Sequence, residues 1–148
     1  MKVIPAEESH RAAWLEMRVA LWPECPAEES TQEITRILES DREDAFLATT
    51  DAGEAIGFAE VSTRDYVDGC RTSPVGFLEG VYVRPSRQMK GVGRALVRAA
   101  ETWALARDCT EMGSDTHLDA LDSIAFHQAL GFEEAERQVV FRKSIAGE

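Results

Sequence analysis

The sequence of 148 residues predicts one mixed α/β domain, and three observations support this fold class. Runs of β-forming residues alternate with segments in which apolar residues recur at helical spacing. No linker, internal repeat or low-complexity segment interrupts that alternation. The length fits a single domain, residues 1–148, with room for a hydrophobic core.

The first half of the chain is predicted to form a strand, two helices and a hairpin. Trp14, Met17 and Leu21 have helical spacing, although the polar Arg18 interrupts their stripe. Two prolines after Leu21 end that helix, and Asp51–Glu54 has the composition of a hairpin turn. The predicted elements are a strand at 2–5, a helix capped by Ser9 and ending near 21, a helix at 27–40, and strands at 45–50 and 55–63.

The second half is predicted to continue with a strand, a long helix and shorter elements. Gly76 and Gly80 lie inside the strand, and such glycines often mark a β-bulge. Gly131 is expected to be the left-handed C-cap of the last helix. The predicted elements are a loop at 65–74, a strand at 75–83, a helix at 91–107 buried along Val92, Ala95, Leu96, Ala99, Trp103 and Ala106, a strand at 111–115, a helix from Asp122 or Ser123 to 130, and closing strands at 132–137 and 138–144.

Charge and cysteine content narrow the possible partners and compartment. The net charge of −11 disfavours nucleic acid and anionic membranes, and it favours cationic partners. Cys25, Cys70 and Cys109 form no disulfide framework and no metal-ligand spacing, so we expect no metal. No apolar run is long enough to span a membrane, and no signal-peptide core is visible near the N-terminus. A cytoplasmic protein is therefore expected.

The most informative segment leads from the strand ending at Val83 into the helix after Gly91. Its pattern Gln88-x-x-Gly91-x-Gly93 places two glycines and several basic residues at a helix start, where backbone N–H groups and the helix dipole favour an anion. A P-loop would need Lys and then Ser or Thr after the second glycine, and a dinucleotide fingerprint would need a third glycine. The segment is therefore predicted to cradle a pyrophosphate.

This loop resembles the coenzyme A loop of the GNAT acetyltransferases. The ending Leu130-Gly131-Phe132 resembles a step that these chains commonly carry, and the predicted order of elements agrees along nearly the whole chain. The resemblance implies a mixed, mostly antiparallel sheet with splayed central strands, and acetyl-CoA as co-substrate. It places backbone contacts to acetyl-CoA at Val81, Tyr82 and Val83 and at Gln88, Met89, Lys90, Gly91, Val92, Gly93 and Arg94, and it places a further cofactor-binding position at Ala120.

Further stretches resemble one GNAT branch, the aminoglycoside 6′-N-acetyltransferases. They include Leu21–Pro23, Asp65–Cys70, Phe77–Gly80, Gly113–Thr116 and Glu136–Arg137. The resemblance implies acetyl transfer to the 6′-amino group of aminoglycosides, antibiotic resistance and a homodimer. It places the drug-binding positions at Trp22, Cys25, Tyr66, Glu79, Asp115 and Glu136.

Three positions depart from the residues of that branch. Cys25 stands where close relatives often carry His, which puts its drug contact in doubt. Ala120 stands where an Asn contacts the cofactor, so that side-chain contact is lost. Phe141 stands where relatives show Tyr, and its ring cannot donate a proton.

Acetyl transfer to an amine requires a neutral nucleophile, a polarised thioester and a route for protons. Glu79 or Asp115 is expected to take the amine proton, directly or through one water, and anchoring of the ammonium without proton transfer is the alternative. The backbone N–H of Val81 is expected to stabilise the developing oxyanion. His127 is a candidate acid for the leaving thiolate, against a histidine that only packs on the last helix.

Two further functions remain open at this point. The first is a GNAT enzyme for another amine, such as a polyamine or a protein N-terminus. The second is a coenzyme A-binding module without catalysis, which the departures at Ala120 and Phe141 leave possible. Glu79 together with Asp115 argues against the second, because a binding module needs no proton acceptor.

Overall fold

In the computed structural model, residues 1–147 are described and form two compact units, Met1–Asp115 and a second that begins at Thr116. The helices and strands of the first unit are β1 (Lys2–Pro5), α1 (Arg11–Leu21), α2 (Ala27–Glu39), β2 (Glu43–Thr49), β3 (Ala55–Arg64), β4 (Val75–Val83), α3 (Val92–Leu105) and β5 (Met112–Gly113). Short 3-10 helices lie at Glu8–His10 and Pro85–Arg87. The second unit contains α4 (Leu121–Ala129). Among residues 1–147, none of the helices has the length and apolar character needed to cross a bilayer.

The five strands form one sheet in the order β1-β2-β3-β4-β5. The first three pairings are antiparallel, and only β4 and β5 run parallel. The predicted mixed, mostly antiparallel sheet is therefore confirmed. The assignment of residues 1–148 to a single domain stays a prediction.

Helices cover both faces of the sheet because its strand residues alternate in direction. Leu47 and Phe58 are fully buried in a cluster with Trp14 of α1 and Ile34 of α2. Their neighbours Ala48 and Ala59 pack on the other face in a cluster with Val92 and Leu96 of α3. The sheet is thus flanked by α1 and α2 on one side and by α3 on the other.

The centre of β4 carries the predicted bulge. Glu60 of β3 pairs with Gly80, whereas the next residue, Val61, pairs with Leu78, so Glu79 is the extra residue of the bulged strand. Pairing of β4 with β5 is restricted to Gly76 and Phe77, although β4 continues to Val83. The two strands therefore separate beyond Phe77, which confirms the splayed central strands.

Several predicted helix ends and faces are wrong. Ser9 does not cap α1; it lies in a 3-10 turn, in which the Glu7 backbone N–H donates to Nδ1 of His10 at 2.9 Å. Ala120, and not Asp122 or Ser123, is the N-cap residue of α4. The buried face of α3 is rotated from the predicted stripe, with Val97, Ala100 and Ala104 buried and Ala106 exposed, because this helix packs across β2, β3 and β4.

The two closing strands predicted at 132–137 and 138–144 are also wrong. Residues 132–147 contain no strand, and the short strand predicted at 111–115 is limited to Met112–Gly113. The apolar residues Val139, Val140, Phe141 and Ile145 are strongly exposed. A β-forming sequence becomes a strand only when a partner strand accepts its backbone hydrogen bonds, and no described residue supplies one here.

Candidate active site

A cleft of about 730 Å³ opens between α1, α2 and the middle of the sheet. Charged side chains dominate its wall, and carboxylates outnumber guanidinium groups by six to three. The lining residues are Glu24, Glu29, Glu33, Glu43, Glu60 and Glu79, then Arg18, Arg36 and Arg64, and finally Trp22, Cys25, Ile37 and Val61. The excess of carboxylates gives the cleft a negative field, which favours a cation.

Glu79 enters the cleft from the bulge of β4. Its Oε2 accepts hydrogen bonds from Oγ of Ser62 at 2.6 Å and from Nη2 of Arg64 at 3.0 Å. Its Oε1 accepts a second bond from the same Arg64 nitrogen, also at 3.0 Å. The Arg64 guanidinium lies 3.7 Å from the ring centre of Phe77, so both partners of Glu79 are held by the sheet.

Trp22 lies at the end of α1 and contacts the same bulge. A Cβ on Gly80 would lie 2.4 Å from Cζ2 of the indole, so only glycine permits this close approach. The ring is also in edge contact with Phe58, at a centroid distance of 6.1 Å, and Arg18 lies 4.8 Å from its centre. Trp22 is therefore both a wall of the cleft and part of the packing around the bulge.

A buried ion network forms the floor of the cleft. Arg18 donates to both carboxylate oxygens of Glu60, at 2.6 and 2.8 Å, and these two side chains are only 3% and 4% exposed. Arg18 also donates to Glu33 at 2.6 Å and to Ser30 at 3.1 Å, while Nε1 of Trp14 donates to Glu60 at 2.9 Å. Burial opposes the charge of Arg18, but the bonds from Glu60 and Glu33 outweigh it and raise its pKa above the ordinary value.

Cys25 lies in the cleft together with α2 carboxylates. Its Sγ and one carboxylate oxygen each of Glu29 and Glu33 lie within 4.8 Å of one another. The spacing of the cysteines in the sequence did not predict this group, because its other two members are glutamates. Glu33 is already engaged by Arg18, and Oγ of Ser30 donates to Sγ of Cys25 at 3.6 Å.

Two other predicted substrate residues lie outside the lining of this cleft. Tyr66 is 72% exposed in the loop after β3, and Asp115 is exposed just beyond β5. Oγ of Ser114 donates to the carbonyl oxygen of Leu78 at 3.3 Å. Glu79 directly follows Leu78, and Asp115 directly follows Ser114. Because Leu78 and Ser114 are bonded to each other, Glu79 and Asp115 both come at the point where β4 and β5 separate.

The residues predicted to bind acetyl-CoA include the C-terminal end of β4 and the loop that follows it. Val81, Tyr82 and Val83 lie beyond the region paired with β5, and the chain then turns through exposed residues 88–91 into α3. Gly91 is the N-cap residue, with a φ of +84°, and a Cβ there would meet open space within 4 Å. Met89 also has a positive φ, of 62°.

This region fits a pyrophosphate in three respects. The backbone can be approached closely at Gly91, the first turn of α3 presents N–H groups that lack intrahelical partners, and Arg87, Lys90 and Arg94 supply positive charge. Gln88 stabilises the turn by donating from its side-chain nitrogen to the Val83 carbonyl at 3.2 Å. The residues present are therefore suited to hold the coenzyme A part of acetyl-CoA.

The remaining predicted residues belong to the second unit. His127 of α4 has Nδ1 2.7 Å from the carbonyl oxygen of Ser123, so this nitrogen carries the proton, and the ring contacts Phe126 and Phe132. Ala120 is partly buried at the start of α4, while Glu136 and Phe141 are exposed.

Sequence reasoning missed Ser62, Arg64, Glu60 and the α2 carboxylates. Arg18 carried a usable signal, because an arginine inside an apolar helical stripe requires a buried acidic partner. The acidic partner, Glu60, is a charged residue within the apolar run of β3. Nothing in the sequence pattern marks Arg64, whose role depends on the register between β3 and β4.

A mostly antiparallel sheet with a bulged, splayed central strand and a glycine loop at the start of a helix is the combination that the sequence predicted for a GNAT acetyltransferase. The model of the acetyltransferase (GNAT) family matches residues 11–132. The chain therefore belongs to the GNAT family.

Curated relatives named aminoglycoside N(6′)-acetyltransferase type 1 match over nearly their full length. The protein from Stenotrophomonas maltophilia is 46% identical, covering 95% of this chain and 91% of its own. The protein from Klebsiella aerogenes is 46% identical, covering 97% of this chain and 96% of its own.

By these relatives the chain belongs to the aminoglycoside N(6′)-acetyltransferase branch of the family, and solved structures agree. The aminoglycoside antibiotic 6′-N-acetyltransferase AAC(6′)-IG from Acinetobacter haemolyticus superposes with a TM-score of 0.93 at 43% identity, covering 98% of this chain and 99% of its own. AAC(6′)-Iy in complex with the bisubstrate analogue CoA-S-monomethyl-acetylneamine has a TM-score of 0.93 at 41% identity, with 97% of each chain covered.

Proposed function

We propose that this chain transfers an acetyl group from acetyl-CoA to the 6′-amino group of aminoglycoside antibiotics, and that it thereby confers resistance. The observation that carries the proposal is the acidic cleft of about 730 Å³ beside the bulge of β4. Aminoglycosides are polycations, and an aromatic wall with excess carboxylates is suited to hold a charged sugar. The relatives named above support the same substrate class.

On the amine side, Glu79 and Asp115 are the proposed groups that accept the proton. The amine must lose its proton before its lone pair can form the C–N bond, and the C–S bond of the thioester then breaks. Glu79 has polar partners on both oxygens, while Asp115 is exposed to solvent, so either can pass the proton on through water. We propose that Trp22, Cys25, Tyr66 and Glu136 complete the substrate site.

On the donor side, acetyl-CoA supplies the activated acetyl group as a thioester. We propose that the backbone at Val81–Val83 orients it, that the loop and helix start at Gln88–Arg94 hold the pyrophosphate, and that Ala120 is a further position of the cofactor site. The backbone N–H of Val81 follows the bulge and is the proposed donor to the carbonyl oxygen as negative charge develops there. This chemistry requires no metal.

His127 is proposed as the acid for the thiolate only in its cationic form. Nδ1 donates to the Ser123 carbonyl, so a neutral ring has no proton on Nε2 to give. A His127→Ala variant with an unchanged pH–rate profile would show that His127 only packs on α4.

The finer biological setting is also a proposal. We propose that residues 1–148 act as one domain, that the protein is cytoplasmic without nucleic acid or membrane partners, and that it forms a homodimer. The exposed apolar side chains Val139, Val140 and Phe141 support the dimer, because burial against a second copy would remove them from water. Light scattering on Phe141→Ser should then show a larger monomer fraction than wild type.

The deciding experiment measures thiol release from acetyl-CoA with kanamycin, tobramycin, spermidine and a peptide N-terminus as acceptors. We expect turnover with the aminoglycosides and loss of most of it in Glu79→Gln. Turnover restricted to spermidine or the peptide would overturn the proposed substrate, and no turnover with any amine would favour a non-catalytic module. An Asp115→Ala variant with full turnover would remove Asp115 from the mechanism.

A further inference from the structure

We propose that Arg64, together with Ser62, is the positioning residue that orients the Glu79 carboxylate towards the substrate amine. This inference rests on the proposed function, since it assigns a role at the same cleft. Neither residue is needed to hold β3 in the sheet, because a strand is held by its backbone. Both side chains instead bond to the carboxylate of Glu79, which lines the cleft.

The placement of the two residues follows from the period of a strand. Glu60, Ser62 and Arg64 are two residues apart, so they lie on one face of β3. Ser62 is buried and pairs with Phe77 across the strands, whereas Arg64 is exposed and lies over the Phe77 ring. Because Phe77 lies two residues before Glu79, one aromatic ring fixes the arginine beside the bulge residue.

The hydrogen bonds leave one side of the carboxylate for a ligand. Oε2 of Glu79 accepts from both Ser62 and Arg64, whereas Oε1 accepts one bond, from Arg64. A carboxylate oxygen has about two preferred acceptor positions, so Oε1 keeps more capacity for a further donor than Oε2. The substrate ammonium or a relay water is therefore assigned to Oε1.

The orientation of the Glu79 carboxylate is not fixed by the backbone, because three rotatable bonds separate the two. Without partners, the carboxylate would sample several rotamers, and a displacement of about 1 Å can cost on the order of 100-fold in rate. A further guanidinium in an acidic cleft would otherwise be a disadvantage, because it competes with a cationic substrate. Its presence is explained if it holds the carboxylate in place.

The test is a double-mutant cycle on acetyl transfer with Arg64→Gln, Glu79→Gln and the pair. We expect Arg64→Gln to lower kcat about 10-fold in wild type with a smaller effect on KM, and to change kcat less than about 2-fold in the Glu79→Gln background. Arg64→Lys should restore part of the loss, because it keeps a cationic donor. Ser62→Ala should show the same dependence on Glu79.

Arg107→Gln is the matched control, because Arg107 lies 3.9 Å from the ring centre of Trp103, outside the cleft lining. Its kcat should equal that of wild type, and thermal unfolding reports whether each variant folds. Additive effects in the cycle, or a higher kcat/KM in Arg64→Gln because a competing cation is gone, would overturn the inference.

The choice of acceptor separates this inference from the proposed function. If wild type acetylates spermidine or a peptide but no aminoglycoside, the proposed substrate fails while the cycle still tests Arg64 with the accepted amine. If aminoglycosides are acetylated and the cycle is additive, only the role of Arg64 fails. A chain that acetylates no amine overturns both.

Discussion

At the scale of single residues, Gly80 links the substrate cleft to the bulge. Its Cα lies so close to Trp22 that an added Cβ would be 2.4 Å from one indole carbon and 2.7 Å from another. Either the indole or the bulged strand must shift to accept a side chain. Both Glu79 and the Val81 N–H depend on that stretch of backbone.

Gly80→Ala is therefore expected to reduce kcat/KM by between about 10- and 100-fold, with a smaller effect on folding. Gly76→Ala is the matched control in the same strand, since its Cβ would meet Ala104 at 2.8 Å, away from the cleft lining. It should lower the melting temperature without a specific loss of activity. Equal losses of activity and stability in Gly80→Ala would contradict the expectation.

The Arg18–Glu60 pair is the residue-scale feature with the largest expected effect on stability. Glu60→Gln leaves the buried Arg18 with only part of its compensation, and breaking a buried pair costs about 3–5 kcal/mol. Urea unfolding of the variant should show a loss of this order. Glu43→Gln removes a carboxylate from the more exposed pair with Arg36, and it should cost less than about 1 kcal/mol.

At the scale of elements, the residue that precedes β5, Glu111, anchors the loop that carries Tyr66. Oε1 of Glu111 accepts hydrogen bonds from the Arg71 and Thr72 backbone N–H groups, each at 2.8 Å, and from the Thr72 hydroxyl at 2.5 Å. The Thr72 hydroxyl and the two backbone donors lower the pKa of Glu111 below its ordinary value of 4.5. The folded protein therefore favours the ionised carboxylate.

This shift predicts how the stabilisation by Glu111 depends on pH. Because the folded pKa is lowered, the contribution is complete above the ordinary value of 4.5 and is lost as the pH falls through the folded pKa. The difference in melting temperature between wild type and Glu111→Ala should therefore shrink under acidic conditions. At neutral pH, amide exchange at Arg71 and Thr72 should be faster in Glu111→Ala. A difference that is independent of pH would contradict this role.

At the scale of the whole molecule, the net charge of −11 is combined with one basic loop at the start of α3. The negative field attracts a polycationic acceptor, and the positive loop can bind a phosphate-bearing donor. The KM for an aminoglycoside should then rise with salt, as the Debye length falls from about 10 Å at 0.1 M to about 3 Å at 1 M.

Glu29→Gln should reduce that salt dependence, because Glu29 lines the cleft. Glu39→Gln is the control on the same helix, since Glu39 is exposed and is not part of the cleft lining. Its plot of log KM against log salt should have the slope of wild type. A flat plot for wild type would show that the cleft charge does not attract the acceptor.

The sequence alone determined the order of elements up to α4, the bulge near Gly80 and the basic glycine loop, because each depends on local periodicity, glycine geometry or adjacent residues. Tertiary structure alone decided the partners of Glu79, the pairing of Arg18 with Glu60, and the separation of Tyr66 and Asp115 from the cleft lining. These depend on strand register and helix packing between residues far apart in sequence. The prediction of two closing strands was wrong for the same reason, because a segment with high β propensity forms a strand only where a partner strand is present.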